Sequence, residues 1–161
     1  MDIAIKVTHQ LNELGSNAEL RIVGLEGEND ENVRFMGVYN KTISQELDAY
    51  VENYRWANFL IHPARFEAAG IVPSEAAGFA VPTITNDSGG LGTTVANGIS
   101  GIVLPKDSPP ELYVETILNY VKAPERYVEL CKSTRSRFET ELNWRYATEK
   151  LSEAIGRIIL A

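Results

Sequence analysis

The chain has 161 residues, of which 44% are hydrophobic, so it is long enough to form one domain, or one lobe of a larger enzyme, with a substantial core. Its net charge of -7 opposes binding to nucleic acid, and one cysteine with two histidines gives neither a disulfide framework nor a zinc-like cluster. No apolar run is long enough to cross a bilayer and no secretory signal is visible, so we expect a cytoplasmic protein.

Apolar residues alternate along the chain between helical and strand spacing, which predicts a parallel sheet covered by helices. The first helix has an apolar face that begins at Ile3, and Gly15 ends it. Two strands are predicted next, in residues 18–25 and 33–37, with an acidic loop between them. A second helix starts at Ser44, whose hydroxyl is suited to capping it.

The middle of the chain continues the same alternation. Residues 57–63 carry apolar side chains on both faces and predict a third, fully buried strand. Residues 72–80 have a helical composition, with Pro73 in the first turn, where proline is tolerated. Residues 81–87 and 101–105 supply two more strands.

The C-terminal part, residues 107–161, is predicted to be helical, and Pro124 separates its first helix from its second. We therefore expect a single lobe over residues 1–161, with the sheet and the candidate site in residues 1–106. Between the last two strands, the glycine pair at 89–90 predicts a turn whose backbone must approach something closely.

Two glutamates flank a small loop in the stretch HPARFEAAGIVPSEAAGFAVPTITNDSGG, which starts at His62. Glu67 follows the third strand, and Glu75 lies one to two turns into the next helix. Ligands of such sheets bind beyond the carboxyl ends of the strands, and the small residues around Gly70 leave backbone N–H groups open to an anion. Two carboxylates around a phosphate would accept hydrogen bonds from hydroxyls on either side of it. A nucleotide-linked sugar provides such hydroxyls.

The stretch from His62 to Pro105 resembles the donor-binding lobe of the group 1 retaining glycosyltransferases, which have the GT-B fold. The resemblance rests on the glutamate pair with seven residues between, the Gly-Ile and Glu-Ala within it, the Val-Pro before the next strand and the following Gly-Gly. The strands AELRIVG and VRFMGVY are also similar, so the match covers roughly residues 2–105. It implies an α/β fold with a Rossmann-like parallel sheet flanked by helices, as the C-terminal half of a GT-B enzyme.

The resemblance implies that Glu67, the candidate catalytic residue, contacts hydroxyls of the transferred sugar and that Glu75 contacts the nucleotide ribose. The other implied substrate-binding residues are the loop amides of Gly70, Ile71 and Val72, together with Gly37 and Val38 beside the base. The resemblance also implies that no cofactor or metal is needed, because in that family positive side chains and a helix end carry the charge of the leaving diphosphate. The donor base, in a UDP-, GDP- or ADP-linked sugar, stays open.

Two departures from the family pattern matter. The family's first strand, with a Gly-Arg turn and a nearby Lys that grip the diphosphate, should precede Asp2 and is not in this sequence. Thr93 and Thr94 stand where an acidic residue is often found. We therefore expect a gap in the sheet between residues 18–25 and 57–63, unless those strands pair directly or another chain fills it.

Three further residues near the site have alternative interpretations. Lys41 and Arg65 are the cations available to replace part of the missing clamp, or they are solvated surface residues. His62 is either packed and hydrogen-bonded at a strand end or part of the sugar pocket.

The expected function is sugar transfer from a nucleotide-diphospho-sugar to an acceptor hydroxyl with retention, when this lobe is joined to an acceptor-binding lobe. Taken alone, the chain is expected to be an inactive fragment. The alternatives are a non-catalytic nucleotide-binding or assembly module of the same fold, and a sugar-nucleotide epimerase. Self-association through the C-terminal helices or the sheet gap is a further expectation, as is a peripheral membrane location for the full-length enzyme.

Overall fold

Helices and parallel strands alternate along residues 2–159, the part of the chain that the computed structural model describes. The strands are β1 (Leu20–Val23), β2 (Val33–Gly37), β3 (Leu60–His62), β4 (Thr83–Asn86) and β5 (Gly101–Leu104). The helices are α1 (Asp2–Glu13), α2 (Ser44–Trp56), α3 (Ile71–Ala77), α4 (Leu91–Thr94), α5 (Pro110–Val121), α6 (Pro124–Arg137) and α7 (Trp144–Ile159), with a π-helical turn at Phe138–Leu142. The ends of the predicted lobe, residues 1, 160 and 161, lie outside the described residues.

The strands form two separate parallel sheets, β1–β2 and β3–β4–β5. In the larger sheet, Ile61, Ile84 and Ile102 lie side by side on neighbouring strands. β1 is not hydrogen-bonded to β3, so the gap predicted between these two segments is present in the described structure. A cavity of about 1170 Å³ is lined by both strands and by residues of α1 and α2.

β4 is the central strand of the larger sheet, and each of its four residues is buried. Ile84 belongs to a core cluster with Val7 and Leu11 of α1 and with Tyr113 and Ile117 of α5. Burying apolar side chains of this size stabilises the fold by about 1.5–3 kcal/mol each. This cluster therefore holds α1 against the larger sheet, although α1 leads in sequence into β1.

A second core cluster joins α2 to α3. Its buried members are Tyr54 from α2, Ala76 from α3 and Val81, which precedes β4. Because Ala76 is the neighbour of Glu75, this packing fixes the part of α3 that carries the second glutamate of the motif.

Two local predictions are wrong. β3 is not fully buried, since each of its residues is only partly buried and its strand also lines the cavity beside β1. Ser44 does not cap α2 but is its first residue, after Ile43 in an extended conformation with no side-chain capping bond. The carbonyl of Ile43 accepts the N–H of Leu47 at 2.9 Å, which starts the helical ladder.

The C-terminal helices are attached through α5 and α6. At the end of α6, the guanidinium of Arg137 donates to the carbonyls of Thr93 and Thr94, both at 2.7 Å. None of the residues of α7 is buried, and Trp144 and Ile158 are 80% and 78% exposed. Self-association through these helices stays a prediction.

Candidate functional site

The loop that carries Glu67, residues 63–70, runs from β3 to α3 and is held by the turn after β4. The N–H of Gly90 donates to the carbonyl of Glu67 at 2.8 Å. A side chain on Gly89 would overlap the Glu67 carbonyl oxygen, and one on Gly90 would overlap that of Ala68. The close approach predicted for the glycine pair is therefore to the backbone of the Glu67 loop.

Gly70 forms the turn between Glu67 and α3. Its φ of 64° lies in the left-handed region that glycine adopts without strain. Its N–H donates to Oε1 of Glu67 at 3.3 Å, and a Cβ at this position would lie 2.8 Å from Leu91 Cδ2. Ile71 and Val72, 64% and 37% exposed, follow as the first residues of α3. The turn thus brings the Glu67 carboxylate to the start of the helix that contains Glu75.

His62, the last residue of β3, faces the same carboxylate. Its Nε2 lies 3.7 Å from Oε2 of Glu67 and has no hydrogen-bond partner among the described residues. Burial lowers the pKa of His62 below its ordinary 6.5, although Glu67 acts in the opposite direction. His62 is thus packed beside the Glu67 carboxylate at the end of β3, and its place in the sugar pocket stays a prediction.

Glu75 lies at the centre of a cluster of four side chains, the Glu75 cluster, which also contains Lys41, Tyr50 and Tyr54. The hydroxyls of Tyr50 and Tyr54 lie 2.5 and 2.8 Å from Oε2 of Glu75, and Nζ of Lys41 lies 3.2 Å from Oε1. Burial raises the pKa of the Glu75 carboxyl, but the hydrogen bonds from these three partners outweigh it and bring the pKa below its ordinary value. Glu75 is therefore an ionised acceptor at neutral pH.

Tyr50 and Tyr54, both on α2, are site residues that the sequence prediction missed. The feature that could have identified them is a pair of phenol hydroxyls four residues apart, because such residues share a helix face and buried hydroxyls need partners. Of the two predicted cations, Lys41 pairs with Glu75 and lies 3.9 Å from the centre of the Tyr50 ring. Arg65 is exposed and forms no salt bridge with any residue from 2 to 159.

Gly37 is the last residue of β2, and Val38 begins the loop that follows it. The Glu75 cluster links this loop to α3. Gly37 has a φ of 70°, and its carbonyl accepts the N–H of Gly24 at 2.8 Å. Val38 is 73% exposed. Because Lys41 belongs to the same loop, its ion pair joins the loop to Glu75. The described residues thus form one group around Glu67 and a second around Glu75, with no hydrogen bond between the two glutamates.

The fold and the site define an α/β protein with a candidate ligand site beyond the carboxyl ends of parallel strands. The family model for glycosyl transferases group 1 matches residues 1–137, and the chain belongs to this family.

Curated relatives agree with this assignment. The chain is 28% identical over 122 residues to a glycogen synthase of Thermus thermophilus, a match that covers 70% of this chain and 26% of the relative. It is 30% identical over 110 residues to a D-inositol 3-phosphate glycosyltransferase of Rhodococcus erythropolis, covering 68% of this chain and 24% of the relative. The matched part is thus about a quarter of the length of these relatives.

Solved structures share the fold. WaaG, a glycosyltransferase involved in lipopolysaccharide biosynthesis, superposes with a TM-score of 0.68 at 24% identity, over 87% of this chain and 39% of WaaG. HepE of Anabaena, solved in complex with UDP, gives a TM-score of 0.64 at 15% identity, over 97% of this chain and 37% of HepE. These neighbours confirm the predicted GT-B-type fold. Among residues 2–159, no helix is both long and apolar enough to cross a membrane.

Proposed function

We propose that this chain binds a nucleotide-diphospho-sugar and forms the donor-binding part of a retaining glycosyltransferase. The observation that carries the proposal is the placement of Glu67 and Glu75 on either side of the Gly70 turn, beyond the carboxyl end of β3. Membership of the group 1 family supports it, and a structure of similar fold, HepE of Anabaena, was solved with UDP-glucose.

The two glutamates act as acceptors for different hydroxyls of the donor. Glu75 accepts from the ribose, because hydrogen bonds and an ion pair keep it ionised and charged acceptors form the stronger hydrogen bonds. Glu67 accepts from the transferred sugar through lone pairs that its contact with Gly70 leaves free. The other proposed donor contacts are those implied by the family resemblance, at Gly70, Ile71, Val72, Gly37 and Val38.

For the protein that contains this chain, the proposal extends to sugar transfer. The bond between the anomeric carbon and the diphosphate breaks, and the diphosphate leaves with the electron pair of that bond. The acceptor oxygen forms a bond to the same carbon on the same face, and its proton passes to the leaving diphosphate. We also propose that a separate lobe of that protein binds the acceptor and that transfer needs no bound metal. The negative charge of the leaving diphosphate would be stabilised by hydrogen bonds from backbone amides and by cationic side chains such as Lys41.

Calorimetric titration tests the binding step. The 161-residue chain is titrated with UDP, GDP and ADP and with one hexose conjugate of each. Glu75→Ala should weaken both the free nucleotide and its conjugate by roughly tenfold or more, since a hydrogen bond to a charged group contributes about 1.5–3 kcal/mol. Glu67→Ala should weaken only the conjugate.

The matched control is Glu129→Ala, which removes an exposed carboxylate on α6 whose salt-bridge partner is Lys132. This variant should bind as the wild type does. A folded chain that binds none of the ligands at millimolar concentration would contradict the proposal. Binding without transfer by the longer protein would favour a non-catalytic nucleotide-binding module.

A further inference from the structure

The two oxygens of the Glu75 carboxylate have different surroundings. Oε2 is contacted by the hydroxyls of Tyr50 and Tyr54, which also lie 2.8 Å from each other. These three atoms, Oε2 and the two phenol oxygens, form three close pairs, but only two phenolic protons are available to bridge them. With Glu75 ionised, both protons are best placed on the contacts to Oε2, because hydrogen bonds to a charged acceptor are about twice as strong as neutral ones.

Counting lone pairs shows which oxygen is available to a ligand. An ionised carboxylate has about four acceptor positions, two on each oxygen. The two phenols use both positions on Oε2, and Lys41 uses one position on Oε1. One position on Oε1 is left for a further donor.

Aromatic packing keeps the two phenols in place. The ring of Tyr54 is buried and stacks on Phe79 with the ring centres 5.4 Å apart. The ring of Tyr50 lies edge-on between those of Tyr39 and Tyr54, at 6.0 and 5.3 Å. Since α2 supplies both phenols and α3 supplies the carboxylate, the contact also fixes the distance between these two helices.

We propose that Tyr50 and Tyr54 are positioning residues that fix Oε2 of Glu75, so that this carboxylate meets the ribose through Oε1 alone. The ribose contact rests on the function proposed above, whereas the positioning of Glu75 does not. Nucleotide affinity would then depend on two hydroxyls that do not touch the nucleotide.

The first test needs no ligand. The side-chain carboxyl of Glu75 is titrated by NMR in isotope-labelled protein and assigned through Glu75→Gln. Tyr50→Phe and Tyr54→Phe should each raise the pKa of Glu75, because a hydrogen bond to the charged form is lost. Tyr39→Phe is the matched control, since its hydroxyl lies 3.3 Å from the side-chain amide of Asn53 and does not contact Glu75. An unchanged Glu75 titration in both test variants would overturn the positioning role.

The second test asks whether the phenols act through the ribose hydroxyls. Tyr50→Phe should weaken the binding of UDP, or of ADP or GDP if one of these is the ligand, by about tenfold. The same variant should bind the 2′,3′-dideoxy form of that nucleotide as the wild type does, because the hydroxyls that Glu75 would accept from are missing. Tyr39→Phe should change neither affinity.

Equal weakening of the normal and dideoxy nucleotides would overturn the inference, because the phenol would then act on the fold in general. If the folded wild type binds none of the three nucleotides, the proposed function fails and the ribose contact fails with it. The carboxyl titration would still decide whether the phenols position Glu75, so the two failures are distinguishable.

Discussion

The two sheets of this chain differ in how completely their strands are enclosed. β4 has a strand on each side and four buried residues, whereas β1 pairs only with β2 and has no buried residue. The Glu67 loop and α3 are connected to the larger sheet, and the loop with Val38 and Lys41 is connected to the smaller one. The proposed sugar side of the site is therefore attached to a three-stranded sheet with a buried central strand, and the proposed base side to a two-stranded sheet.

This difference shows what keeps each side of the site in position. Backbone contacts that leave no room for a side chain hold the Glu67 loop against the turn after β4. On the base side, the loop is held through side chains: a salt bridge between two partly exposed groups, Lys41 and Glu75, links it to α3, and Tyr39 contacts α2. Exposed salt bridges contribute about 0–1 kcal/mol. We infer that the sugar side is rigid by packing and the base side is the more adaptable.

The largest effect is expected at the glycine pair. Gly90→Ala should lower the free energy of unfolding by about 3 kcal/mol, because the new methyl group overlaps the Ala68 carbonyl in a packed turn. Gly92→Ala is the control in the same segment, since its Cβ would have no atom within 4 Å. The control should be neutral or stabilising by up to about 1 kcal/mol, as expected for alanine in place of a helical glycine. Urea unfolding measures both, and equal stabilities would show that the sugar side is not rigidly supported.

The open edge of β3 gives the next largest effect. The N–H of Leu60 donates to the carbonyl of Pro82 at 3.0 Å, on the side of β4. Successive residues of a strand direct their N–H groups to opposite edges, so the N–H of Ile61 is directed toward the gap beside β1. We expect Ile61 to exchange its amide hydrogen at least about tenfold faster than Leu60, a difference of about 1.4 kcal/mol in local protection. Equal protection by NMR would mean that the gap is closed in solution.

The smallest effect concerns His62 at the carboxyl end of β3. Because burial lowers its folded-state pKa, the unfolded chain binds this proton more readily, and stability falls as the pH drops below 6.5. We expect the loss between pH 6.5 and 5.5 to be below about 1 kcal/mol and to be reduced in His62→Gln. Denaturant unfolding at both pH values measures it. Parallel pH dependence in the two proteins would place His62 in a solvated position.

Much of the fold could be predicted because each element has a local pattern. The strand VRFMG was predicted at its observed bounds, and the helix break at Pro124 was also found. The burial of β3 could not be predicted, since it depends on which strand lies across its edge. The prediction that Ser44 caps α2 was wrong, because a serine near a helix start fits both the capping position and the first helical position.

The candidate site was predictable to the extent that it is contiguous. Glu67, Gly70 and Glu75 lie within nine residues, and the structure places the first two in direct contact. The partners of Glu75 come from 21 and more residues away, as with Tyr54, and periodicity cannot pair residues on different helices. For the same reason, the sequence could not show that Gly89 and Gly90 lie against the backbone of the Glu67 loop. The assigned ligand contacts stay predictions.

The hydrogen bond from Gly90 to Glu67 has a consequence for how the sequence can vary. The position of Glu67 is set by a turn more than 20 residues downstream, and this turn consists of the two glycines Gly89 and Gly90. In a library of all single substitutions, we therefore expect position 90 to tolerate fewer residue types than position 67 when the selection is for folding alone. If the same library is selected for binding of the sugar donor, both positions should tolerate few residue types. Comparing the two selections would show which position is needed for folding and which for donor binding.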